Sequence, residues 1–498
     1  MTMQHFIAID VGTSGVKALI INEQGDIKGQ ATAALALATP EPGWAEQDPE
    51  AWWKATRAAV GEALRLAKLP ASSIAAVGLS GQMHSSVFLD GKGEVIRPAL
   101  LWCDGRTTKQ CADITKAVGG ARLRKQACNP ALEGFTLPKI LWLKQKEPAA
   151  FRRLAKVILP KDYIRYRLTG VLATDPSDAS ATLMFDTVNR RWSTSILKAV
   201  GLPLSLTVDV AGSSEASGYV SADAAKLTGL PQGIPVAGGG ADNACGAVGV
   251  GAVSPGEAVS SWGTSGTILA PTQTPVVDPG LRAHTFCHAV DNTWYVMGVM
   301  LTAGAAFAWL RGVAAQELAS DDKANLKLNE EAARVPVGSE GLTFLPYLQG
   351  ERTPHRDAAA RGAFVGLSLA HGRPHMMRAV LEGITFGLRD SVAVLQDMKL
   401  PLTRMLLTGG GAQSPFLRQL QSDVFGMPVV RVNREEGPAF GAALLAAVCA
   451  GVYKNVPAAC KATLKRLPAE KPNRKTHAAY QAAYERYAAL YPALKGHF

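Results

Sequence analysis

Apolar runs short enough to be strands recur along the chain, and they are separated by longer stretches in which Ala, Leu and Val return at helical spacing. Phe6 to Ile9 and Val16 to Ile21 flank Asp10-Val11-Gly12-Thr13-Ser14-Gly15, which predicts two strands joined by a tight glycine turn. The same design returns half a chain later, where Ala258 to Ser260 and Thr267 to Leu269 flank Gly263-Thr264-Ser265-Gly266. Further strands are predicted at Ile74 to Ser80, at Val236-Ala237 before Gly238-Gly239-Gly240, and at Met405 to Thr408 before a third glycine cluster, Gly409-Gly410-Gly411. Helices are predicted from Trp52 to Leu66, begun by Asp48-Pro49-Glu50, then from Ala244 to Val250, Ser414 to Phe425 and Thr476 to Leu494. Strands alternating with helices mean an α/β protein. The stretch Gly246 to Gly256, rich in Gly, Ala and Val, reads as a hinge between halves 1–248 and 249–498.

Composition narrows the class. At 498 residues, 47% hydrophobic and 19% charged, the chain fills more than one ordinary core and lacks the charge bias of disorder or of a coiled coil. The net charge of +11 is spread along the chain, and the densest run, Lys461 to Lys475, reads as a solvated helix and loop. No nucleic-acid partner is expected, while a mild positive potential suits phosphorylated substrates. Seven cysteines without C-x-x-C spacing argue for reduced thiols and against zinc or disulfides. The N-terminal strand follows no basic-then-apolar leader, and no apolar run reaches the ~18 residues of a membrane span. The expectation is a cytoplasmic protein without a membrane partner.

Chemistry is expected at the ends of strands. The two Gly-Thr-Ser-Gly turns offer backbone N–H groups to an anion, although 49 glycines also allow ordinary hairpin connections. Asp10 ends a strand beside the first turn, as a Mg²⁺ ligand or as a cap of its own turn. Asp242 follows three glycines and precedes a helix, as a helix cap or as a general base taking a proton from an attacking hydroxyl. Gln82, Met83 and His84 join an amide, a thioether and an imidazole just past a strand, with a structural histidine as the competing reading. Trp102 and Asp104 offer an apolar wall and a polar contact suited to a sugar, though Trp102 alone reads as core. Neither a G-x-x-x-x-G-K-[ST] loop nor a G-x-G-x-x-G fingerprint is present.

Together these segments resemble the FGGY family of carbohydrate kinases over almost the whole chain. The resemblance is carried by Ile9 to Lys17, Trp44 to Pro49, Gly81 to His84, Leu101 to Arg106, Leu159 to Tyr163, Gly240 to Asn243, Ser261 to Gly266 and Pro346 to His355. Gly134 to Leu143 and Gly362 to Glu382 fit its two signatures, with Lys146, Ser85 and Cys245 as departures. The resemblance implies two actin-like (ribonuclease H-like) domains with a cleft between them, ATP and Mg²⁺, and phosphorylation of a sugar. Met83-His84, where the glycerol branch has Arg-Glu, implies a ketopentose, D-xylulose, phosphorylated at its C5 hydroxyl. Asp242 would be the base, Asp10 would lie by the metal, and Gln82, Met83, His84, Trp102, Asp104 and Asn243 would hold the sugar. Thr13, Ser14, Lys17 and Thr264 would hold phosphates, and Gly304, Gly410, Gly411 and Gln413 would line the nucleotide pocket. A homodimer is implied by the resemblance alone. Another sugar (D-ribulose, L-fuculose, gluconate) and a nucleotide-dependent sugar-binding regulator without turnover stand as alternatives.

Overall fold

The computed structural model describes residues 3–498. In the first half, β1 (His5–Val11), β2 (Gly15–Asn22) and β3 (Ile27–Ala34) form an antiparallel meander, and α1 (Pro49–Ala67) leads to β4 (Ile74–Gly81), which pairs parallel to β1. Beyond β4 lie β5 (Ala216–Tyr219) and β6 (Pro235–Ala237), and β7 (Gly240–Ala241) also pairs with β4. Helix α2 (Asp242–Gly249) then closes this half. The second half repeats the plan. Strands β8 (Gly256–Trp262), β9 (Gly266–Thr272), β10 (His284–Cys287) and β11 (Trp294–Met300) give an antiparallel set, and β12 (Leu402–Gly409) and β13 (Val429–Val430) pair parallel beside β8. A three-strand meander extended by parallel strands, present twice, is the duplicated actin-like plan.

Alternate residues of β1 face different cores. Ile7, Ile9 and Val11 pack with Trp52, Trp53 and Val60 of α1. Phe6 and Ala8 turn to the other face, which is covered by a helix from far along the chain: α3 (Pro438–Cys449), through Phe440, Ala442 and Ala443. That helix also packs on α2, and the contact is made backbone to backbone. A Cβ on Gly441 would overlap the Cys245 carbonyl oxygen, one on Gly78 that of Ala442, and one on Gly249 that of Gly437. Glycine is required here by close approach.

The expected elements are present with small shifts. Asp48 caps α1 by accepting from the Glu50 N–H at 3.0 Å, with Pro49 in the first turn. The closing helix runs Arg474–Leu494, begun by Asn473, and buries Tyr480, Tyr487 and Tyr491. The stretch expected to be a hinge is helical as far as Gly249, so the connector to β8 is only Val250–Pro255. Among the described residues no helix is long and apolar enough to cross a membrane, and all seven cysteines are free thiols.

Gly441→Val should lower unfolding stability by roughly 2–3 kcal/mol or more, because two backbones must part. Gly61→Ala, in open space on α1, should raise it by up to about 1 kcal/mol. Urea midpoints of the two variants against the parent measure both.

Candidate active site

The carboxyl ends of β1, β4 and β7 meet the turn between β8 and β9 across a cleft. Asp10 is the penultimate residue of β1, opposite Lys17 on β2 and Ser80 on β4. Asp242 is the first residue of α2, and the cap position before it is Ala241, which makes no side-chain bond. The helix-cap reading of Asp242 is therefore corrected: its Oδ1 accepts from the N–H of Asn243 at 2.8 Å, but it stands inside the helix.

Two cavities share this cleft. The smaller, about 210 Å³, is lined by Met83, His84, Trp102, Asp242, Asn243 and Arg352, and by Ser261, Ser265 and Thr267 from across the cleft. The larger, about 550 Å³, is lined by Trp262, Thr264, Gly304, Gly410 and Gly411 with Phe307, Arg311, Asn325 and Asn329. Gly263 lines both, so the second glycine turn is the wall between them. Two hollows of about 760 Å³ elsewhere have neither a glycine turn nor the paired acids, and the site is not there.

The electrostatics single out the two acids. Burial, and then the charge of Asp10, pushes Asp242 up to about 7. Burial likewise raises Asp10, whose Oδ1 is enclosed without a hydrogen-bond partner. An acid that near neutrality suits proton transfer at physiological pH. His84 is the opposite case, since burial lowers it to about 3 and leaves a neutral ring whose Nδ1 sits 2.6 Å from the Ala181 carbonyl. A ring nitrogen beside a carbonyl carries the proton, so Nδ1–H donates to Ala181. The ring also packs against Phe135 and Phe286, at centroid distances of 4.6 and 5.8 Å.

Other predicted residues brace the site. Gln82 is buried, accepting from Thr13 Oγ1 at 3.3 Å and Ser85 Oγ at 3.1 Å, and so ties the first turn to the end of β4. Trp102 Nε1 donates to Thr13 Oγ1 at 3.0 Å, and the Trp102 N–H donates to Ser85 Oγ at 3.0 Å. Trp102 is thus a cleft wall, contrary to the core reading, and the departure Ser85 is what bolts it in place. Ser14 is exposed at the tip of the first turn, and Lys17 lies beside Asp10 without lining either cavity. At the second turn, the Gly304 N–H donates to the Gly263 carbonyl at 2.8 Å, and a Cβ on Gly304 would come within 2.6 Å of that oxygen.

Two residues are elsewhere. Asp104 is turned inward, its Oδ2 accepting from the Ala45 N–H at 2.7 Å and pairing with Arg106 at 2.7 Å, so it faces the protein interior and not the sugar-sized cavity. Gln413 points outward, donating to Glu435 at 2.9 Å, and does not line the nucleotide-sized cavity. Sequence reasoning missed Arg352, Asn325 and Asn329 as site residues. Arg352 lay inside a segment already quoted, Pro346 to His355, and a cation flanked by Glu351 and Thr353 was its only signal.

Residues 5–249 match the family model described as "FGGY family of carbohydrate kinases, N-terminal domain", and residues 258–450 match its C-terminal domain. A xylulose kinase of Escherichia coli (strain K12) is 39% identical over 496 residues, covering 98% of this chain and 99% of that protein. A crystal structure described as a xyloylose kinase from Brucella ovis superposes with a TM-score of 0.91 at 37% identity, covering 99% of this chain and 100% of the other. A gluconate kinase from Lactobacillus acidophilus superposes at 0.92 with 28% identity, covering 99% and 98%.

Because Asp242 holds its proton more tightly folded than unfolded, its ionisation opposes folding. The opposition begins above the ordinary aspartate range and is complete above pH 7. Asp242→Asn should therefore stabilise the protein more at pH 8 than at pH 5, read as the difference in unfolding free energy at the two pH values.

Proposed function

The chain belongs to the FGGY family of carbohydrate kinases, and from that membership we propose that it transfers the γ-phosphoryl group of ATP to the C5 hydroxyl of D-xylulose, with Asp242 as the general base. The observation that carries the assignment of Asp242 is its place on the wall of a sugar-sized cavity, with an affinity for protons raised to about 7, beside the turn that separates that cavity from a nucleotide-sized one. The name of the Escherichia coli relative supports D-xylulose over other sugars. Full-length similarity to kinases, together with the paired acids, speaks against a regulator without turnover.

ATP is the phosphoryl donor, and the larger cavity, lined by Thr264, Gly304, Gly410, Phe307 and Asn329, would hold it, with Thr264 at its phosphates. Bound Mg²⁺ would neutralise charge on the phosphoryl oxygens. Asp10 fits that ion, because its Oδ1 lacks a partner and Mg²⁺ keeps waters while using one or two carboxylates with substrate phosphates. Lys17, across the pair from Asp10, adds positive charge to the first turn, where Thr13 and Ser14 stand. Met83, His84, Trp102 and Asn243 form one wall of the sugar site. With the ring nitrogens of His84 neutral and Nδ1–H engaged, Nε2 is an acceptor for a sugar hydroxyl. Asp242 takes the hydroxyl proton while the second turn holds the donor in line. The protein is read as cytoplasmic, and as a homodimer on family resemblance.

A second reading is a sugar acid, favoured by Arg352, a half-buried guanidinium that lines the sugar cavity and, among the described residues, forms no salt bridge. ADP release from MgATP against D-xylulose, D-ribulose, L-fuculose, glycerol and gluconate decides between them. Selective stimulation by D-xylulose is expected, and selective stimulation by gluconate would replace it with the sugar acid. Asp242→Ala should lower turnover by roughly 10²–10⁴. In the parent, kcat/KM should rise with pH through about 7 as Asp242 ionises.

A further inference from the structure

Behind the base lies a set of ionisable groups that the reaction, as proposed, does not touch. Lys161 and Arg165 share a helix, α-turn neighbours within Pro160–Thr169, and meet Asp162, Asp175 and Asp178 where all five are buried. Lys161 Nζ lies 2.6 Å from Asp162 Oδ1, 2.9 Å from Asp175 Oδ1 and 3.1 Å from Asp178 Oδ2. Arg165 Nη1 lies 2.8 Å from Asp162 Oδ1. Burial, reinforced by Asp175 and Asp162, raises the proton affinity of Asp178 well above the ordinary carboxylate range. Such a cluster is a poor way to gain stability, since well-packed apolar residues do as well without the cost of desolvating ions.

Its contacts lead to the segment that carries the base. Asp175 Oδ2 accepts from Ser177 Oγ at 2.6 Å and from Ser213 Oγ at 3.0 Å. Ser177 Oγ, its proton committed to Asp175, accepts from the N–H of Ala241 at 2.9 Å. Ala241 immediately precedes Asp242. At the other end of the glycine run, Arg165 donates to the Gly238 carbonyl. The run Gly238–Ala241 is therefore gripped at both ends by one ion cluster. Its glycines permit that grip: Gly239 has φ +70°, and a Cβ on Gly240 would stand 3.0 Å from Cys245 Sγ and 3.3 Å from Ser177 Oγ.

We propose that Lys161, Asp175 and Ser177 form a positioning relay that fixes the Ala241 amide and so aims the Asp242 carboxylate at the hydroxyl being phosphorylated. The proposal rests on Asp242 as the general base. Lys161 pairs with Asp175 and orients it, Asp175 orients the Ser177 hydroxyl, and Ser177 holds the backbone one residue before the base. No substrate atom is reached by any of the three, so the effect belongs to the approach of the base, and a small displacement there is costly in rate.

The test compares Ser177→Ala, Ser213→Ala and Asp242→Ala in the full-length enzyme with D-xylulose and MgATP. Ser177→Ala frees the Ala241 amide. It should lower kcat by roughly 10- to 100-fold, leave KM for sugar and ATP within about threefold, and shift the acid limb of the kcat/KM profile to lower pH as water reaches a loosened carboxylate. Ser213→Ala removes a bond to the same carboxylate without breaking the link to Ala241, so its kcat should stay within about threefold of the parent. A Ser177→Ala enzyme with parental kcat, a loss expressed in KM instead of kcat, or an equal loss in Ser213→Ala overturns the relay. If Asp242→Ala keeps near-parental turnover, the base assignment fails and takes the relay with it; if Asp242→Ala is inactive and Ser177→Ala is not, the relay alone fails.

Discussion

The backbone-to-backbone contact of α3 with α2 and β4 is the constraint on which the rest of the molecule depends. A helix from the C-terminal part of the chain covers one face of the first sheet, and it comes so close that Gly78, Gly249 and Gly441 leave no room for a side chain. Without it, Phe6, Ala8 and Leu19 would face water. The two halves also meet along β10 and β11, where the Cys287 N–H donates to Ser180 Oγ at 3.0 Å and Trp294 Nε1 donates to the Thr187 carbonyl at 2.7 Å. Surfaces packed this tightly cannot slide past one another without opening voids.

That geometry forces two carboxylates into the same low-dielectric space. Asp10 arrives on β1 and Asp242 at the start of α2; burial, and then the charge of Asp10, makes Asp242 harder to ionise. Like charges at a site separate in proton affinity. One acid poised near neutrality and another with a free oxygen would divide the work of the proposed phosphoryl transfer, the first suited to take a proton and the second to a divalent cation. The neutral His84 belongs to the same logic, because a positive charge on the wall of the cavity it shares with Asp242 would favour the ionised carboxylate.

Much of the fold was legible because hairpins and capped helices are local. The Gly-Thr-Ser-Gly turns, Asp48-Pro49 and the closing helix all rest on residues within a few positions of one another. The glycines before Asp242 mark a close approach whose partners, Gly212 and Leu79, are distant in sequence. What escaped was set by tertiary partners. Asp104 has the composition of a sugar contact, but Arg106 two residues on and the Ala45 amide draw it inward. Gln413 follows the third glycine cluster, yet Glu435 holds it outside. Arg352 enters the sugar cavity from the second half, and no periodicity reports a residue that crosses a cleft.

The duplication explains why two turns of one sequence have different tasks. In the first, Thr13 is engaged by Trp102 and Gln82, both from the first half, so the turn is braced and its hydroxyl is occupied. In the second, Thr264 is exposed, its carbonyl accepts from Ala303 and Ala305, and Gly263 faces both cavities. A braced turn beside Asp10 offers a fixed surface, whereas an open turn between two cavities offers a passage. Under the proposed function a phosphoryl group passing from nucleotide to sugar would cross that wall, which at Gly263 carries no side chain. The two hairpins share one sequence, and the side chains packed behind each set which is braced and which stands open between the cavities.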